Sequence, residues 1–284
     1  MRYLIAVTLL WAFSFSLIGV YLAGQVDPYF AVLSRVGLAL LIFVPFLLRY
    51  RGTGADALML ALLGAVQLGL MYIFYYQSFL LLSVPQVLVF TIFTPIYITL
   101  LYDALSRRFN ARFLTAALLA VLAAAVMRDG IPAPDYWLGF AIVQGANLCF
   151  AAGQVGYKRF MEPKPSYSAQ HTQFGWFYVG ALAVALPAWL LLGSAQYPQD
   201  TTQWLVLLWL GLVASGGGYF WWNKGASQVS SGTLAVMNNA LIPAGLLVNL
   251  LIWNRDADLL RLSAGIAILL FSLWLCRNAL LQEK

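Results

Sequence analysis

The polar chemistry buried deepest in this sequence is uncharged. Gln144, Asn147, Ala151 and Gln154 recur at spacings of three, four and three, which places them on one stripe of a helix. Asn238, Ile242, Gly245 and Asn249 form a second such stripe, with Asn239 beside its first member. Ser14, Gln67 and Thr94 add further polar groups inside apolar runs. An amide in an apolar medium must find a partner, so these groups either tie helices together, at about 1 kcal/mol per bond, or line a shared polar cavity. Aromatic side chains give such a cavity its character. Gln86, Phe90, Phe93 and Tyr97 share one helical stripe, and Phe90, Phe93 and Trp11 lie deep enough to pack against an apolar ligand. Tyr76, Trp221 and Trp222 stand at the ends of runs, where the interfacial aromatic belt is the expected place for them.

Charge is nearly absent from these runs. Arg35 is the exception; it sits about two turns from a run's end, within reach of the interface, and is expected to orient a neighbouring helix or loop. No Asp, Glu or Lys lies near the middle of a run, and the single His171 falls at a run's start. With no nucleophile beside a base and no metal-ligand cluster, the sequence predicts no catalytic residue, no metal site and no cofactor.

The elements that must position these groups are membrane helices. The chain has 284 residues, 62% hydrophobic and 9% charged, with a mean hydropathy of +0.82. A soluble domain carries about 25% charged residues, so this composition excludes a water-soluble fold. Apolar runs of spanning length recur at 3–22, 29–49, 56–78, 84–102, 111–127, 135–157, 168–193, 202–222, 230–253 and 259–277. The division near Ser83 to Pro85 carries no charge, but one span from Asp56 to Tyr102 would be far too long. The first run is longer than a cleaved signal core and stays as helix one. Alternate loops hold twelve and three of the Lys and Arg residues, with Arg35 left over, which predicts an inner-membrane, multi-pass chain with both termini cytoplasmic. The net charge of +6 therefore reports topology and does not call for a nucleic-acid partner. Cys149 and Cys276 lie inside spans and read as packing thiols.

A weak internal repeat overlays helices one to five on six to ten. Tyr75-Tyr76-Gln77-Ser78 through Pro95 aligns with Trp222-Asn223-Lys224-Gly225 through Pro243 at an offset of 147, slipping by one before the prolines. Trp11-Ala12-Phe13-Ser14 aligns with Phe150-Ala151-Ala152-Gly153. Five spans per half force the second half in upside down, so the expected fold is an all-α membrane protein of ten helices in two inverted repeats, 1–130 and 131–284, forming one domain.

These residues, together with Arg35, Pro85, Lys158-Arg159 and Ser231-Gly232-Thr233, resemble the drug/metabolite transporter superfamily in its ten-helix, EamA-like branch. Within it the chain looks most like the YddG-type aromatic amino acid exporters. The Glu that often follows helices four and nine there is replaced by Asp103 and by Trp253-Asn254-Arg255. The resemblance implies a monomeric exporter of amino acids or other small amphipathic solutes, working by alternating access. Joined to the stripes above, it gives an expected substrate site of Trp11, Ser14, Gln67, Phe90, Phe93, Thr94, Gln144, Asn147, Asn238 and Asn239. A carrier for another metabolite, such as a nucleotide sugar or a drug, is the alternative; a channel or an embedded enzyme fits less well.

Overall fold

The computed structural model of the protein describes residues 1–50, 52–126, 136–164, 169–253 and 259–282. Arg51, Arg128, Arg255 and Lys284 lie outside these residues, as do the side chains of Asn249 and Cys276. Among the described residues, eight helices are long and apolar enough to cross a membrane: α1 (Arg2–Leu22), α2 (Pro28–Leu47), α3 (Gly54–Leu81), α4 (Gln86–Ser106), α6 (Trp137–Met161), α7 (Gln170–Leu192), α8 (Thr201–Ala226) and α9 (Ser231–Ile252). Two more, α5 (Ala111–Val126) and α10 (Leu259–Gln282), carry shorter apolar stretches. Among the described residues these helices fall on the apolar runs of the sequence, eight of them of spanning length, and the uncharged break between α3 and α4 is present. There Leu82 turns extended, and the Gln86 side chain accepts from the Ser83 backbone N–H at 2.9 Å to start the next helix.

Helix packing follows a paired pattern. α2 lies along α7, α4 along α9 and α5 along α10, while α3 packs on α6 and α7 as α8 packs on α1 and α2. The closest approach is between α3 and α7. A Cβ on Gly64 would strike the Phe177 carbonyl, and one on Gly180 would strike the Ala61 carbonyl, so each helix presents a glycine to the other's backbone.

α1 ends in π-helix over Ile18–Leu22, and two further departures from regular α-helix recur at the repeat offset. α3 winds as π-helix over Ala65–Leu70 and α8 over Trp209–Gly217, so shifting the first segment by 147 lands it inside the second. α4 tightens to a 3₁₀ turn at Thr91–Phe93, and α9 breaks at Ala240, which separates Ser231–Asn239 from Leu241–Trp253. Pro95 and Pro243 follow these breaks closely, as expected where a proline removes a helical donor.

Candidate functional site

A cavity opens among α1, α2, α3, α4, α6, α8 and α9, enclosing about 630 Å³ of empty space with the solvent at its mouth included. One wall is aromatic. Trp11 donates its indole N–H to the Ala214 carbonyl at 2.8 Å, and its ring lies 4.6 Å from Tyr219, 5.0 Å from Trp222 and 5.9 Å from Phe150. The bond is available because Ala214 lies in the π-helical stretch of α8, where the backbone ladder is irregular. Phe15 and Tyr75 pack edge to face on another side at 5.3 Å, with Met71, Ile18 and Leu241 completing the apolar lining.

The polar end of the cavity is built around Arg35. The residue is 2% exposed, so it does not snorkel to the interface. Its Nε donates to Ser215 Oγ at 3.0 Å, Nη1 to Tyr76 at 3.2 Å and Nη2 to Tyr72 at 2.7 Å, while its guanidinium lies 4.3 Å from the Tyr72 ring centroid. Ser215 Oγ also pairs with the Tyr72 hydroxyl at 2.7 Å, and Tyr178 donates to the Ser215 and Gly216 carbonyls. The network ties α2 and α3 to α7 and α8 through the π-helical stretch.

Five of the expected site residues line this cavity: Trp11, Ser14, Thr94, Asn147 and Asn238. Ser14 Oγ is buried there without a partner. Asn147 and Gln144 serve the bend in α4. The 3₁₀ turn directs the Thr94 N–H to the Thr91 carbonyl, and the Phe90 carbonyl accepts from Asn147 at 2.8 Å and Gln144 at 3.1 Å. Asn147 also donates to Gln144 Oε1 at 3.1 Å, so both its amide hydrogens are occupied and only its carbonyl oxygen is left for a ligand. Asn239 of α9 donates to the carbonyl of Ile92 in the same turn of α4 at 3.1 Å and to that of Ala120 in α5 at 2.9 Å. Asn238 and Gln154 pair reciprocally at 3.2 Å, and Trp222 donates to the same Gln154 oxygen at 2.9 Å.

The other expected residues stand off the cavity. Phe90 and Phe93 pack on Phe140 of α6, at 5.1 and 5.8 Å. Gln67 is fully buried against Gly153 of α6, and both its amide atoms lack a partner. Gln144 and Asn239 are spent on helix bends. Tyr76 and Trp222, expected in the interfacial belt, are buried at 4% and 2%; Trp221, at 45% exposed, keeps the belt position. Their place at the cytoplasmic or outer end of a hydropathy run hid them, because hydropathy records depth and not which face of a helix meets its neighbours. Tyr72, Tyr75, Phe150 and Tyr219 are wall residues that the amide stripes alone did not bring out.

Residues 1–128 match the EamA-like transporter family. Over nearly its whole length the chain is also similar to curated transporters. It is 56% identical to a probable biotin transporter of Pseudomonas aeruginosa, over 98% of this chain and 97% of the relative. It is 52% identical to biotin transporters of Salmonella typhimurium and Escherichia coli, over 98% of this chain and 93% of each relative. The chain belongs to the EamA-like transporter family. A solved crystal structure at 18% identity superposes with a TM-score of 0.76 over 97% of this chain and 96% of the other, which shows a shared fold. The protein is accordingly a membrane transporter and not an enzyme. The relatives are named for biotin and not for aromatic amino acids.

Proposed function

We propose that this transporter carries biotin across the inner membrane by alternating access. The observation that carries the reading is the similarity, over almost the full chain, to transporters named for biotin. The cavity's chemistry supports it. Biotin has a compact, uncharged bicyclic ring with one urea group and a flexible chain ending in a carboxylate. An aromatic wall of Trp11, Phe150 and Tyr219 suits the ring, and the Ser14 hydroxyl and the Asn147 carbonyl oxygen suit the urea. No acidic side chain lines the cavity among the described residues, which favours movement down the substrate's gradient over proton coupling through an embedded carboxylate.

Alternating access requires two halves that can rock about the site, and we infer two inverted five-helix repeats, 1–130 and 131–284, with both termini cytoplasmic. The paired helix contacts and the irregularities repeated at one offset support this. The amino acid reading from the sequence remains the competitor, because an aromatic wall also suits tryptophan.

Counterflow in proteoliposomes loaded with unlabelled solute separates the two. Biotin inside should drive saturable accumulation of labelled biotin, and neither tryptophan nor a nucleotide sugar should compete. Tryptophan counterflow without biotin counterflow would overturn the reading.

A further inference from the structure

Among the described residues, Arg35 is a buried cation without an anion. Every described acidic side chain is engaged elsewhere: Asp27 with Phe30 and Ser194, Asp56 with Lys164, Asp103 with the Asn110 N–H, Glu162 with Lys158 and Arg159, and Asp200 with Gln203. The partners of Arg35 are three neutral hydroxyls. Hydroxyls satisfy hydrogen-bonding geometry but leave the positive charge uncompensated in a medium where that is costly. A residue needed only to tie helices together would do so more cheaply as an amide.

Three further observations give the charge a direction. Arg35 lines the cavity. Its three nitrogens each make one bond to protein, so N–H groups on Nη1 and Nη2 remain of the five that a guanidinium offers. Tyr72, Tyr76 and Ser215 hold the planar group from two helices, so it is fixed before any ligand arrives. A fixed, planar, singly charged donor fork at the end of an apolar cavity is the counterpart of a carboxylate on an apolar body.

We propose that Arg35 binds the substrate's carboxylate, and that the transported species is therefore a monocarboxylate anion whose charge is neutralised only inside the protein. This rests on the biotin reading above, and it further orients the molecule: carboxylate at Arg35, ring against Trp11.

The test compares biotin with its neutral carboxamide, biotinamide, as competitors of labelled biotin in proteoliposomes. The wild-type protein should bind biotin on the order of thirtyfold or more tighter than the amide, as expected for losing one member of a buried charged pair. Arg35→Gln should bring the two within a few-fold of each other, and Arg35→Lys should keep part of the preference because the charge remains. Equal affinity in the wild type, or an undiminished preference in Arg35→Gln, would overturn the carboxylate assignment. If Arg35→Gln does not fold, the wild-type preference decides alone. Absence of saturable biotin binding in the wild type would instead sink the biotin reading, so the two failures are distinguishable.

Discussion

The bend in α4 offers a quantitative check on what the buried amides do. One carbonyl, that of Phe90, is held by two donors from α6, Asn147 at 2.8 Å and Gln144 at 3.1 Å. Replacing Asn147 by Leu leaves Gln144 in place, so the carbonyl keeps a partner. The cost should be that of the bond to Phe90, about 0.6 kcal/mol and at most about 1.7 for a hydrogen bond in a membrane, together with that of the bond to Gln144. Gln144→Met alone should behave similarly, with the added loss of the Tyr97 hydroxyl's acceptor at 3.2 Å. Together the two changes strip the carbonyl of both donors, and a buried unpaired acceptor costs about 1–3 kcal/mol in its own right. Each single change also breaks the Asn147–Gln144 bond at 3.1 Å, which the double loses only once, so the double should exceed the sum of the singles by the unpaired carbonyl's cost less about 0.6 kcal/mol, a coupling of roughly 1 kcal/mol. For a chain of this size 1 kcal/mol corresponds to a shift of about 2–4 °C in thermal midpoint. Thermal denaturation in detergent of the wild type, both singles and the double completes the cycle. Strict additivity would refute the shared-carbonyl account. A large loss of biotin affinity in Asn147→Leu with an unchanged midpoint would instead return Asn147 to the substrate.

Gly180→Ala should lower the thermal midpoint by several degrees, because its Cβ meets the Ala61 carbonyl of α3 and two rigid backbones must separate; an unchanged midpoint would mean that α3 and α7 are not in direct backbone contact. At the C-terminal end of α6, Tyr102 donates to Glu162 at 2.6 Å and Arg159 pairs with it at 2.7 Å. Partial burial works to raise the Glu162 carboxyl, but Tyr102, Lys158 and Arg159 outweigh it and hold the group below the usual carboxylate range. A depressed carboxylate contributes stability that is full above its unfolded value, near 4.5, and is lost as pH falls through the folded value. The midpoint difference between wild type and Glu162→Gln should thus shrink as pH drops from neutrality to below about 4. A difference that stays constant over that range would remove Glu162 from the acid response.

How much of this was legible in the sequence differs between the fold and the site. The helices follow from hydropathy and charge, because span length and the placement of Lys and Arg are properties of the chain read in order. The positions of the prolines and of the Ser83 break likewise carry their own local cause. The site depends on which face of each helix turns inward, and that was only half visible. The stripe through Asn147 and Gln154 does face inward, but Gln67 on a π-helical segment does not reach the cavity, since the extra residue per turn rotates its face away from the 3.6-residue register. Arg35 was visible as a charge in a span; its burial was not, because the hydroxyls that hold it come from α3 and α8, far away in sequence.

The repeated irregularities explain why the amides and the substrate groups divide as they do. A π-helical or 3₁₀ segment in a membrane helix leaves backbone carbonyls that neither lipid nor the next turn can satisfy. In α4 that need is met by Gln144 and Asn147 at Phe90, and by Asn239 at Ile92. In α8 it is met by Trp11 at Ala214 and Tyr178 at Ser215 and Gly216. Several of these donors cross between α1–α5 and α6–α10, so the side chains that stabilise the bends also join these two sets. A bend that is locked by a neighbour's side chain can be released when that neighbour shifts, whereas one locked by its own helix cannot. What these bonds leave free at the cavity is the aromatic wall, the unpartnered Ser14 hydroxyl, the Asn147 carbonyl oxygen and the remaining N–H groups of Arg35. Arg35 reaches Ser215, in the same π-helical segment whose carbonyls Trp11 and Tyr178 hold. A carboxylate bound at Arg35, as proposed above, would act on a group already coupled to the bend of α8, so recognition and any movement of that bend would share the same few atoms.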